Sequence, residues 1–436
     1  MLANSERHSV SCGGCLLKNL RYHVIKYTML LKRRCAPYFL ILALMASASL
    51  LMFFLSAQSR ISSETCEMLN LKVMYIDTLA GKKIANKTDW VPSRYELGGF
   101  SGACKIRGRG NTTWVTRELF KRPYLVKLDE AKPLLGQMAA QKWVLMANTS
   151  DKTSLRNSYA RFLATQVWNR MRWTPDASFV ALFLNGKFNG LYELTEKIEY
   201  ASISLPEDSF LAVVNSRLNK EYNFTTTHGT KISIRMKDKT MGEYDRMRHT
   251  VQAAEDALFA ENFAKDSGWR RFLDEDSFVD WYLVNEFTKN HDARFQASCW
   301  FYFDSSSHKI FMGPIWDFDL SCGNIRWHTC DDPEGFFVNS EQWYKRLFED
   351  ETFRAKVRQR YAQTRQQLSL SLEWLQSEAD RIKPFVELND TVWHNIGHRQ
   401  WPHAPGWRKR KTYESEVAYM MDFLQKRKSW MDEALS

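Results

Sequence analysis

No charged side chain occurs between residues 35 and 59, and little net charge accumulates over most of the chain beyond them. The formal charge is +11, but it is confined to two places. Residues 1–35 carry Arg7, Lys18, Arg21, Lys26, Lys32, Arg33 and Arg34 against Glu6. The stretch RQWPHAPGWRKRK (399–411) carries Arg399, Arg408, Lys409, Arg410 and Lys411 with no acid. The remainder is near neutral, which excludes a general nucleic-acid surface, so no nucleic-acid partner is expected. The basic stretch itself reads as a solvated patch. No period of about 20 to 50 residues repeats, which excludes a solenoid or propeller. Cysteine is sparse, and four of the eight, Cys12, Cys15, Cys35 and Cys66, lie at or before residue 66. If the body is extracytoplasmic, Cys322 could join Cys330 and Cys66 could join Cys104, although spacing fixes neither pair.

What is present is an ordinary apolar fraction, 44%, over 436 residues, enough for two or three units or one large mixed domain. Sixteen tryptophans fill cores and can also build clefts. The uncharged stretch contains APYFLILALMASASLLMFFL (36–55), about the 20 apolar residues that cross a bilayer, preceded by Lys32-Arg33-Arg34. Positive residues stay cytoplasmic, so the pattern predicts a single-pass signal anchor at 36–57, a cytoplasmic basic tail at 1–35 and an extracytoplasmic body. The apolar run exceeds a cleaved signal's core of about 7–15 residues.

The body begins with alternating runs: LKVMYIDTL (71–79), CKIRGRGNTTW (104–114), RPYLVKLD (122–129) and QKWVLMANTSD (141–151). SLRNSYARFLATQVWNRM (154–171) has helical periodicity, and ASFVALFLNGKFNGLYELTEKI (177–198) reads as a hairpin turning at Asn185-Gly186. Later segments are more helical: 243–263, 276–290 and most of the chain from 341. CWFYFD (299–304) and KIFMGPIWDFD (309–319) read as a strand pair. The expectation is an α+β chain with a strand-rich lobe before a helix-rich lobe.

Three stretches concentrate chemistry. KIRGRGNTTW places Gly108 and Gly110, whose backbone can approach an anion, beside Arg107 and Arg109. Lys127 lies in an alternating strand and shares a face with Leu125. Asn290, His291 and Asp292 end a helix, and a strand pair leads back to Asp317 and Asp319. Acids at i and i+2 of a strand share a face, and such acids in an apolar setting are costly unless paired or metal-bound. Oxygen ligands of this kind suit Mg²⁺, which also bridges to phosphates. Anion-binding glycines, a lysine, a lone acid and a metal-binding acid are the parts used in phosphoryl transfer.

These stretches, with LLGQMAAQKWVLMANTSDKTSLRN, LFLNGKFNGLYELTEKIE and NEFTKNHDARFQASCWFYFD, occur in an order that resembles the CotH family of spore-coat-protein-H-like atypical kinases, across roughly residues 70–330. The resemblance implies a divergent protein-kinase-like fold with N- and C-lobes over 65–335; the helical pattern of 336–436, which the matching motifs do not cover, reads as a helical extension of the C-lobe. It implies transfer of the ATP γ-phosphate to Ser or Thr of a protein substrate, using Mg²⁺ or Mn²⁺. By motif, Asp292 falls at the family's catalytic position and Asp317 at its metal position; Asp319, on the same face two residues on, could be a second metal ligand or an acceptor for nearby backbone N–H groups. Arg107, Gly108, Arg109, Gly110 and Lys127 fall at its phosphate region, and Glu196 and Glu193 could face the nucleotide, orient Lys127 or belong to the surface. Arg156 and Asn157 begin a helix that could line the cleft. The HRD and GxGxxG signatures of ordinary protein kinases are absent. Two other functions use the same features: an adhesin-like surface binding module, and a metal-dependent phosphohydrolase with water as nucleophile.

Overall fold

A computed structural model describes residues 61–436, apart from 117–118, 216–221, 236–239, 266–267 and 296. Residues 61–436 form one compact unit. The expected span at 36–57 and the basic tail lie outside the described residues. Among the described residues no helix is long and apolar enough to cross a membrane. The single-pass membrane placement is corrected on that finding and is not carried further.

After a short helix α1 (Ser63–Met68), the barrel strands are β1 (Lys72–Thr78), β2 (Val91–Leu97), β3 (Phe100–Gly108), β4 (Tyr124–Lys132), β5 (Ala140–Met146), β6 (Ala177–Leu184) and β7 (Lys187–Glu196). They close in the order β1-β2-β3-β4-β5-β7-β6. All neighbouring pairs are antiparallel except β1 and β6, whose parallel pairing closes the barrel, with Met74 opposite Leu182. The alternating pattern explains the interior. Met74, Ile76, Tyr95, Leu97, Ile106, Val126, Leu128, Trp143, Leu145, Val180, Leu182 and Leu194 all point inward and are buried. The β6–β7 hairpin turns at Asn185-Gly186, both with positive φ.

A second sheet has the order β12-β11-β8-β10-β9, from β8 (Phe210–Val214), β9 (Asn223–Thr225), β10 (Lys231–Arg235), β11 (Cys299–Asp304) and β12 (Lys309–Met312). The other helices are α2 (Thr112–Val115), α3 (Arg156–Phe162, continued by a π-turn at Leu163–Val167), α4 (Met241–Phe259), α5 (Glu275–Thr288), α6 (Gln342–Leu347), α7 (Glu351–Trp393) and α8 (Tyr413–Ala434). The divergent kinase-like fold with N- and C-lobes is therefore corrected: the chain has a closed seven-stranded barrel, a separate five-stranded sheet and packed helices. Local alternation marks strands such as β1, β4 and β5 but carries no information about which distant strand closes a sheet.

α5 is the centre of the larger core. It starts where Asp274 accepts the Ser277 N–H at 2.9 Å, and every residue from Ser277 to Thr288 is buried. Such an all-round buried helix needs partners on all sides; α7 and α8 supply two. The C-terminal end of α7 also grips the barrel: Asn389 Oδ1 accepts the Leu191 N–H at 3.1 Å and Trp393 Nε1 donates to the Asn189 carbonyl at 2.9 Å. Gly190 between them has φ +108, and a Cβ there would sit 2.5 Å from Asn389 Oδ1, so only glycine fits. The five described cysteines, Cys66, Cys104, Cys299, Cys322 and Cys330, are buried and unbonded, so neither expected disulfide is present.

Candidate functional site

A cavity of about 500 Å³ lies where the turn after β3, the segment after β5 and the residues beyond α5 and β12 meet. The strand expected over 309–319 stops at Met312. Residues 313–319 are irregular, and Asp317 takes a positive φ of 69°, strained for a non-glycine residue. The peptide between the two acids is pinned instead by hydrogen bonds. Asn157 Oδ1, at the start of α3, accepts the Phe318 N–H at 2.9 Å. Asn324 Nδ2 donates to the Asp319 carbonyl at 2.7 Å and to the Ser150 carbonyl at 2.8 Å.

The other acid comes from the end of α5. Lys289 leaves the helix with φ +49, and Asn290 accepts the Asp292 N–H at 3.4 Å, forming a tight turn. The His291 N–H donates to the Leu320 carbonyl at 3.3 Å and the Cys322 N–H to the Thr288 carbonyl at 2.7 Å. These bonds stitch the 290–292 turn to the 317–322 segment. His291 Nδ1 lies 3.0 Å from Asp292 Oδ1.

The electrostatics reflect three acids sharing one cleft. Burial, then the Asp292 charge, pushes Asp317 up to about 6, while Arg109 and the Ser298 hydroxyl at 3.2 Å oppose the rise. Burial, then Asp317, pushes Asp319 up to about 8, although the Ser150 hydroxyl donates to its carboxylate. Arg109 holds its guanidinium 5.3 Å from the Trp316 ring centroid. Arg235, at the end of β10, lines the cavity as well.

A sequence model described as CotH kinase protein matches residues 106–431. The chain belongs to the CotH family. No curated protein matches the chain.

Of the family's expected site residues, the cavity brings together Asp292, Asp317, Asp319, Arg109 and Gly110. Gly110 has φ +89, and a Cβ there would lie 2.5 Å from Thr113 Oγ1. Arg107, Gly108, Lys127 and Glu196 are not in its wall. Arg107 lies 4.9 Å from the Trp90 ring centroid, and Gly108 leaves room for the Trp114 ring, which a Cβ would overlap. Lys127 sits on β4 opposite Lys105 and Lys142. Glu196, opposite Trp143, is buried, and burial above all pushes it up to about 7, against a Trp173 hydrogen bond. Glu193 is buried and paired with Arg161, and it also accepts from Asn148 Nδ2 at 2.9 Å. Arg156 is spent on Asp151 and on the Ser321 carbonyl at 2.9 Å, so Asn157 alone of that pair reaches the cavity.

Sequence reasoning missed Ser150, Ser298, Arg235, Trp316 and Trp401 in the wall. Their signal is weak: hydroxyls in polar turns, an arginine at a strand end, tryptophans that read as core or as part of a solvated patch. Lys121 supports the wall from behind. Its ammonium is buried and donates to the Ala147 carbonyl at 2.9 Å and to that of Leu191, and burial drives its pKa well down.

Among the described residues no group of three or more His, Cys, Asp and Glu is arranged to hold a metal ion. Two carboxylates with hydroxyl and amide oxygens nearby still match the donor chemistry of a hard cation that completes its shell with water and phosphate. The raised values of Asp317 and Asp319 are what two crowded acids show where local positive charge is insufficient, and a divalent cation would correct that deficit.

Proposed function

We propose that the chain is a protein Ser/Thr kinase that uses ATP and a divalent cation at this cavity. The observation that carries the proposal is the convergence of Asp292, Asp317, Asp319 and Arg109, from separate segments, on one cleft. Family membership supports a kinase-related activity.

In the proposed reaction Asp292 accepts the proton of the acceptor hydroxyl through Oδ2, since His291 engages Oδ1. The hydroxyl oxygen bonds to the γ-phosphorus of ATP while the bond from that phosphorus to the bridging oxygen breaks, leaving ADP and a phosphoester. Arg109, fixed over Trp316, balances phosphate charge, and Arg235 adds a second cation to the wall. A divalent cation held by Asp317 and Asp319 would neutralise charge on the transferred group. Ser150, Ser298 and Asn157 hold those two acids in place.

The test is titration calorimetry of the full chain with ATP and Mg²⁺, followed by phosphate transfer with Asp317→Ala. Heat on binding, with transfer lost in the variant, is expected. A pure binding module gives no heat; a phosphohydrolase releases free phosphate without labelling protein. Unchanged transfer by Asp317→Ala refutes the assignment.

A further inference from the structure

The cavity mouth beside Asp292 is built from rings. The His291 ring meets Trp327 at 5.7 Å and lies 5.6 Å from His328, and Trp327 meets Trp401 at 6.2 Å between centroids. Trp327 and Trp401 both line the cavity, yet Trp327 is 52% exposed. A large ring held at a cleft rim but left open to solvent is a typical contact surface.

Trp401 belongs to the basic stretch 399–411, which is fastened to the body rather than solvated. Lys152 Nζ donates to the His398 carbonyl at 2.8 Å and lies 5.5 Å from the Trp407 ring centroid. Lys152 is two residues beyond Ser150, which holds Asp319, so the stretch is anchored to the cavity wall. Arg410 is occupied by Glu416 at 2.6 Å, and Lys411 Nζ donates to the Gly397 carbonyl at 3.0 Å. Arg408 and Lys409 are exposed, and among the described residues neither pairs with a carboxylate.

Building on the kinase reading, we propose that the acceptor is a protein segment rich in Asp and Glu. It lies across Trp327 and Trp401, with its carboxylates toward Arg408 and Lys409 and its Ser or Thr at Asp292. The acids of the acceptor then stand away from the three aspartates of the cleft, where like charge would repel them. Exposed cations of this kind set specificity and encounter rate. A nucleic-acid strand fits less well, because strand binding needs a basic groove along the backbone and flat stacking platforms. Here Arg408 and Lys409 stand side by side in the sequence rather than along a groove, and the two indoles meet nearly edge-on, at 68°.

The test compares two peptides with one central Ser, flanked by Glu or by Gln, on the full chain. Transfer from ATP is measured in the wild type and in Arg408→Glu/Lys409→Glu. Binding is measured separately by fluorescence anisotropy on Asp292→Asn. Two exposed ion pairs predict a preference for the Glu peptide of several-fold, up to about tenfold. That ratio falls toward one in the double variant and shrinks with added salt. Equal performance of both peptides in the wild type, or a ratio untouched by the charge reversal, overturns the proposal. So does displacement of the Glu peptide by a single-stranded oligonucleotide at lower concentration. Selective binding of the Glu peptide without any phosphate transfer leaves the docking surface standing and removes the kinase reading instead.

Discussion

Asn157 Oδ1 accepts the backbone N–H of Phe318 at 2.9 Å, holding the peptide between Asp317 and Asp319. The bond links the start of α3 to the strained segment that carries both acids, so this amide side chain, together with Asn324, fixes the backbone that positions them. Asn157→Ala should leave the Phe318 N–H buried without a partner, costing about 1–3 kcal/mol. Loosening the acids by even an ångström should lower kcat by about tenfold or more. Thermal melting and steady-state kinetics check both; an unchanged kcat removes Asn157 from the positioning role.

Asp319 makes stability depend on pH. Its value in the folded protein, about 8, lies above that of an exposed aspartate, chiefly from burial. The folded chain therefore binds this proton more tightly than the unfolded chain. The stability it contributes is present in acid and is lost as pH rises from about 4 toward 8. Wild type should lose melting temperature relative to Asp319→Asn over that range without divalent cation, and Mg²⁺ should narrow the gap. Parallel pH profiles of the two proteins contradict the assignment.

Arg109 opposes the rise of Asp317 while resting over Trp316. Arg109→Ala should raise Asp317 further and cut kcat/KM for ATP by about two to three orders of magnitude, the scale of one lost charge-stabilising donor. Arg109→Lys should recover little, because an ammonium cannot reproduce the planar, stacked fork. Kinetics of both variants decide it, and full recovery by lysine would show that charge alone matters.

The Arg427–Glu286 pair is fully buried on both sides. Glu286 also accepts the Phe337 and Val338 N–H groups at 2.8 and 2.7 Å, and Arg427 donates to the Pro333 and Gly335 carbonyls at 2.9 and 2.8 Å. Arg427→Ala should destabilise by about 3–5 kcal/mol, since it strands a buried carboxylate. Denaturant unfolding measures this; a loss below about 1 kcal/mol contradicts it.

Much of the local structure was readable because it rests on short-range rules. Alternation placed Met74, Ile106, Val126 and Leu194 on one face of their strands, and Asn185-Gly186 marked its hairpin. The closing pair β1–β6 was not readable, because pairing between distant strands leaves no local trace. The acids of WDFD were visible as polar residues in an apolar run. Their geometry was not, since the segment leaves the strand at Gly313 and is shaped by Asn157 and Asn324 from elsewhere in the chain. The stretch 399–411 looked solvated because its charges dominate its composition. Trp401 and Trp407 tie it to the cavity wall through contacts that only the fold creates.

The most direct test is transfer of labelled γ-phosphate from ATP to protein by the full chain with Mg²⁺ or Mn²⁺, beside Asp292→Asn. The expected result is labelled Ser or Thr with the wild type and a loss of at least about 10²-fold in the variant, the scale of a positioned general base, at nearly unchanged melting temperature. Equal labelling by the variant, or no labelling by a wild type that binds ATP, would contradict the proposed kinase activity.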